Sequence, residues 1–231
     1  MPRTPLAIVS ALFVAAGAST ALGDNWTMTL TADNFFNAYF GTPTQTTSYV
    51  GGGGWPIAST FNPTNVPSTD TLYVQCHSDY GTAQGFLGTF TNTTTNVTVN
   101  ADLTNWQVFP AGAHLAALGY PFPSWPAFQT PTQAQVDAAI NYATTNGLWI
   151  TPSTFAPYNN TNGSPSWGPV AGISPSAQWI WHNANNSPNP LNGGFNHDEF
   201  LIFRYQGIVP APAGLGVLGA AGLLAGRRRR R

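Results

Sequence analysis

Apolar and polar residues alternate with a period of two along much of this chain. Trp26, Met28 and Leu30 interleave with Thr27, Thr29 and Thr31, the pattern of a strand with one buried face. Phe35 to Phe40 reads as a second, aromatic strand. The intervening Ala32-Asp33-Asn34 has turn chemistry, because Asp and Asn bond their own backbone and tolerate unusual φ. Further strands are predicted at Thr71 to Cys76, Gln84 to Phe90, Val97 to Val99, Trp106 to Phe109, Ala177 to Trp181 and Glu199 to Gln206. All are short, rich in aromatic or β-branched residues, and bounded by Gly, Pro, Asn and Asp. That combination predicts an antiparallel sandwich rather than an alternating α/β fold. Gly51 to Gly54, followed by Trp55-Pro56, reads as a flexible loop with an aromatic at its end.

One stretch has a different period. From Thr130 to Gly147 the residues Val136, Ala139, Ile140 and Ala143 fall on one helical face. Thr130 is placed to N-cap, Pro131 suits the first helical position, Gln133 completes a capping box and Gly147 ends the helix. One amphipathic helix is therefore expected in a Pro- and aromatic-rich insertion spanning about 103–172.

The two ends do not read as parts of this core. Met1 to Gly23 carries Arg3, an apolar run from Leu6 to Ala18 and then small residues, the three parts of a secretory signal peptide; cleavage is expected after Ala18, Ala21 or Gly23. At the other end, Pro210 and Pro212 stop the last strand from continuing. The 19 residues from Ile208 to Gly226 make a helix of about 28 Å, against a hydrocarbon core of about 30 Å. Arg227, Arg228, Arg229, Arg230 and Arg231 are costly to move through a bilayer and belong on its cytoplasmic side, which leaves the domain facing outward. An ordinary tail anchor and a nucleic-acid-binding Arg run are the alternatives for this segment; the apolar helix has no use in the second.

Removing both ends changes the charge. Between Asp24 and Gly207 all eight acids face the single base Arg204, a formal charge of −7. An acidic domain without a basic stripe argues against nucleic acid and anionic lipid, and is compatible with neutral glycans or Ca²⁺. The 184 residues of this span suffice for one core. The lone Cys76 shares a strand face with Leu72 and Val74, which predicts a buried, inert thiol.

The C-terminal stretch Val209, Pro210, Ala211 and Pro212, with the helix and arginines that follow, resembles the PEP-CTERM sorting signal of exported bacterial proteins, although Pro210-Ala211-Pro212 lacks the usual acidic residue. The resemblance implies handling by signal peptidase and by an exosortase, a membrane-embedded cysteine transpeptidase, and delivery to the cell surface or extracellular space among polysaccharide. The core resembles galactose-binding-like jelly-roll domains, through Trp26 to Asn34, Gly85-Phe86-Leu87-Gly88, Ala177 to Trp181 and Phe200 to Arg204. This implies a β-sandwich of the kind common among carbohydrate-binding modules, and a structural calcium.

Glycan binding requires an aromatic platform for the apolar face of a sugar, plus a few amide, carboxylate or hydroxyl partners. The loop-borne candidates are Trp55, Trp125 in Phe122-Pro123-Ser124-Trp125-Pro126, and Trp167 in Pro165-Ser166-Trp167-Gly168-Pro169; each is alternatively a packing plug for its loop. The densest polar stretch is Asn192 to Glu199. There Asn196, Asp198 and Glu199, joined by Asp33 with Asn34, are candidate Ca²⁺ ligands, since that ion takes six to eight oxygens. The alternative is a loop whose Asp and Asn satisfy local backbone groups, while Glu199 or Asp198 pairs with Arg204 or solvent. His77-Ser78-Asp79 and His197-Asp198 are the only acid-base pairings for catalysis. They lie in no recognised catalytic motif, and His114 and His182 stand alone.

Overall fold

The computed structural model describes residues 23–78, 84–119, 130–154, 159–160, 167–183 and 200–207. Strands β1 (Trp26–Asp33), β4 (Ser59–Phe61), β6 (Gly85–Asn92) and β7 (Val97–Asn100) form a four-stranded sheet in the order β4-β1-β6-β7. Strands β2 (Phe35–Thr42), β3 (Gln45–Gly54), β5 (Thr71–His77), β8 (Trp106–Pro110) and β9 (Phe200–Tyr205) form a five-stranded sheet in the order β3-β2-β5-β9-β8. Every ladder between these strands is antiparallel. The fold is thus mainly β, two antiparallel sheets face to face. No helix among the described residues is long and apolar enough to cross a membrane; the C-terminal apolar run and the N-terminal leader lie outside them.

The period-two alternation dictates what fills the space between the sheets. Trp26, Met28 and Leu30 of β1 and Phe86 and Phe90 of β6 point inward. They meet Phe36, Ala38 and Phe40 of β2, Leu72, Val74 and Cys76 of β5, and Leu201 and Phe203 of β9. Aromatic rings join the layers: Trp26 lies 5.6 Å from Phe40, and Phe86 lies 5.1 Å from Phe203. The other face of the four-stranded sheet carries the threonines. Thr29 pairs through its hydroxyl with Thr60 at 3.0 Å, Thr91 with Thr98 at 2.9 Å, and Thr89 donates to Asn100 Oδ1 at 2.8 Å, cross-strand contacts that stabilise the sheet from outside.

The outer face of the five-stranded sheet is not solvent-facing, and here the sequence reading needs correction. Two helices cover it, α1 (Gly112–Ala117) and α2 (Gln133–Thr145), where one was expected. Leu115, Val136, Ala139, Ile140 and Ala143 pack on Tyr39, Tyr73, Phe109, Phe200 and Ile202 in a second core. Both faces of β5 and β9 are therefore buried.

The expected apolar stripe of α2 is present, but its cap is Thr132 rather than Thr130. Thr132 accepts from the Gln135 backbone, and Gln135 returns the bond to the Thr132 N–H at 2.9 Å. The later start leaves Gln133 to donate to Thr46 Oγ1 at 2.9 Å, and Asp137 to accept from both the N–H and the hydroxyl of Thr46 at 2.7 and 2.6 Å. Tertiary bonds to β3 thus select the second of two overlapping capping registers.

Three further expectations change. Gly51 to Gly54 is not a loop; it pairs with Phe35 to Ala38 as the end of β3. A Cβ on Gly51 would collide with the Phe61 ring and one on Gly54 with the Asn34 carbonyl, so glycine is required here by close approach rather than flexibility. Ala177 to Trp181 joins its neighbours only through isolated bridges, Gln178 to Asn159, Ile180 to Phe86 and Trp181 to Ser153, because Trp179 and Trp181 are buried in the core instead of extending a ladder. Trp106–Pro110, inside the expected insertion, is an integral strand of the five-stranded sheet, so the added layer begins only at Ala111.

Candidate ligand-binding groove

β1 hands the chain from one sheet to the other at Asn34, and the candidate site grows from this corner. The Asp33–Asn34 and Trp55–Pro56 peptide bonds are cis. The Trp55 N–H donates to the Ala32 carbonyl at 2.8 Å, pinning the end of β3 beside the end of β1. From there Trp55 sets its ring edge-on to Trp179, centroids 6.0 Å apart at 67°. Trp179 in turn stacks on Trp167 at 4.2 Å and 15°. The stack needs room at β6: a Cβ on Gly85 would come within 2.7 Å of Trp179 and 3.0 Å of Trp167.

Trp167 is consequently not the surface platform that its proline-flanked loop suggests. It is 2 % exposed, and its Nε1–H donates to Asp33 Oδ2 at 3.0 Å; the packing alternative is the one the structure adopts. Trp55 differs. It is half-buried and lines a groove of about 330 Å³ with Pro56, Ile57, Ala58, Pro169, Val170 and Ala171. Ile57 on its rim is 73 % exposed. Buried Asn160 holds the opposite wall, accepting from the Val170 N–H at 2.6 Å and donating to the Val170 and Ile173 carbonyls at 2.9 and 2.7 Å. A rigid ring backed by a second ring beside an apolar groove can take the flat face of a sugar or another apolar surface.

Trp125, Asn196, Asp198, Glu199, Asp79 and His197 lie outside the described residues, as do Val209 to Pro212 and Arg227 to Arg231. Of the calcium candidates only Asp33 and Asn34 can be placed. Asp33 already accepts from Trp167, while Asn34 Oδ1 accepts from Ser78 Oγ at 3.0 Å. Among the described residues no three His, Cys, Asp or Glu side chains gather as a metal site. These two side chains are engaged by side chains distant in sequence, and the rest of that donor set lies in 184–199, outside the described residues.

His77 is buried on the helix-covered face of the five-stranded sheet, its ring stacked between Phe35 and Phe200 at 5.2 and 5.9 Å. A one-way chain of hydrogen bonds ends on it. Tyr49 O–H donates to Asn37 Oδ1 (3.2 Å), Asn37 Nδ2 to Gln75 Oε1 (3.1 Å), and Gln75 Nε2 to His77 Nδ1 (3.2 Å). That direction makes Nδ1 an acceptor and leaves the ring proton on Nε2. Burial lowers the His77 pKa to about 4, so the ring is neutral at pH 7. Cys76 is fully buried, and burial pushes its thiol well above the usual range.

Sequence reasoning missed Tyr49. It is 55 % exposed, tilts against Tyr39, and shares a cleft of about 480 Å³ between β3 and β4 with Ser48, Thr60, Asn62 and Thr64. Its only signal was the β-favouring run Thr46 to Val50, overshadowed by the glycines after it.

No family model, curated protein or solved structure matches the chain.

Proposed function

We propose that this chain is an exported carbohydrate-binding module of the galactose-binding-like jelly-roll type, delivered to the cell surface by its PEP-CTERM-like tail. It holds a neutral saccharide at the Trp55 groove. The observation that supports this reading best is that half-buried Trp55 lines the groove with its ring held against Trp179, which is itself stacked on Trp167. Preorganised aromatic platforms lose little conformational entropy on binding. The two-sheet architecture and the uncharged lining of the groove agree with a binding role.

The full chain on a glycan array, with Ca²⁺ and again with chelator, tests this. Saturable binding that falls at least tenfold in Trp55→Ala, with the melting temperature kept, is the expected result. Binding lost in chelator places a calcium ion in the recognition. No binding in either condition, or binding indifferent to Trp55, overturns the glycan reading in favour of a structural envelope or biofilm component.

A further inference from the structure

Arg204 sits at the opposite end of the five-stranded sheet from Trp55, set by its ladders beside Tyr73 on β5 and Gln107 on β8. It is the only Lys or Arg between Asp24 and Gly207. Its guanidinium is half-buried: Nε and Nη2 both donate to Gln107 Oε1 at 2.8 and 2.6 Å, and its Cζ lies over the Trp149 ring, 4.3 Å from the centroid. A cation so enclosed is stabilised by a counter-charge, and losing water without one is costly.

Among the described residues there is none. Gln107 is neutral, and burial pushes the Tyr73 phenol up to about 12, so it too is uncharged at neutral pH. Asp70 and Asp137 act on Tyr73 and Asp102 on Tyr205, but no carboxylate among the described residues compensates Arg204. Two of its five N–H groups are used on Gln107, which leaves a fork of the shape that pairs with a carboxylate. Arg204 also lines a groove of about 360 Å³ with Pro43, Thr71, Gln107, Tyr205 and Gln206. Apart from Arg204 the lining is hydroxyl, amide, ring and apolar, the set that suits the body of a sugar. The −7 charge of the domain opposes long polyanions and favours a short acidic segment engaged at one carboxylate.

We propose that this groove binds a uronate residue of an acidic polysaccharide, its carboxylate held by Arg204 and its hydroxyls by Thr71 and Gln206. The site is separate from the Trp55 groove and stands without it.

The full chain is titrated with tri-galacturonate and with neutral tri-galactose, by calorimetry and by tryptophan fluorescence, since Trp149 lies against Arg204. Tri-galacturonate is expected to bind with an affinity that weakens with added salt, is at least tenfold lower in Arg204→Gln, and is unchanged in Trp55→Ala. Gln206 is exposed, so Gln206→Glu sets a carboxylate in the groove without disturbing the fold; the same tenfold loss is expected there, which decides the matter if Arg204→Gln fails to fold. Absence of tri-galacturonate binding, equal binding of tri-galactose that ignores Arg204, full binding by Gln206→Glu, or loss of uronate binding in Trp55→Ala each overturns the proposal.

Discussion

His77 and Trp167 show how a side chain's neighbours decide its chemistry. The unfolded His77 ring takes a proton near pH 6.5 and the folded one near 4, so the unfolded chain binds more protons throughout that window. Stability is therefore lost as pH falls from 6.5 to 4 and is level below, by about 3 kcal/mol for a shift of this size. Urea unfolding of wild type and His77→Gln across that range measures it; the substitution should flatten this part of the pH profile. Trp167→Ala removes a stacked, buried indole together with its hydrogen bond to Asp33, a loss of about 3–5 kcal/mol, read as a fall in the urea midpoint. Cys76 should stay unreactive toward a thiol reagent until the protein unfolds, since a buried neutral thiol is not a nucleophile. The indole and thiol environments were partly legible. Cys76 alternates with Leu72 and Val74, whereas Trp167 between prolines is equally consistent with a platform and a plug. Its choice depends on Asp33 and Gly85, far away in sequence, and on Trp179 in the segment that follows.

Among the elements, α2 depends on a tie that its own sequence does not reveal. Asp137 accepts two bonds from Thr46, and charge-assisted bonds at a half-buried site contribute about 2 kcal/mol. Asp137→Ala should lower the unfolding free energy by about that amount and speed amide exchange across 133–145 more than in β1 or β6. Thr132→Ala should cost about 1 kcal/mol as a lost cap, while Thr130→Ala should cost nothing, which distinguishes the two capping registers by thermal denaturation. Strands with one apolar face were readable because alternation is local. β3 was not, since its glycines answer to Phe61 and Asn34 rather than to a turn. The polar face of β5, with Tyr73, Gln75 and His77, reads as solvent-facing only until a helical layer is laid over it.

Across the molecule, the described residues stack in three layers: a threonine-faced sheet, a central sheet whose β5 and β9 are buried on both faces, and two helices. The fold class followed from short strands and turn residues. The groove wall at Pro169 to Ala171 did not, because Asn160 builds it by folding one irregular segment against another. β9 lies between β5 and β8 instead of at an edge. Tension reaching the domain through Gln206, as it would for a protein tethered by the segment that follows, loads two hydrogen-bonded ladders lengthwise. The bonds must then slide together rather than open one after another, so single-molecule pulling from this end should require a higher force than pulling on the edge strand β7. A strand placed for packing thus also makes the domain hard to unravel by a pull at Gln206.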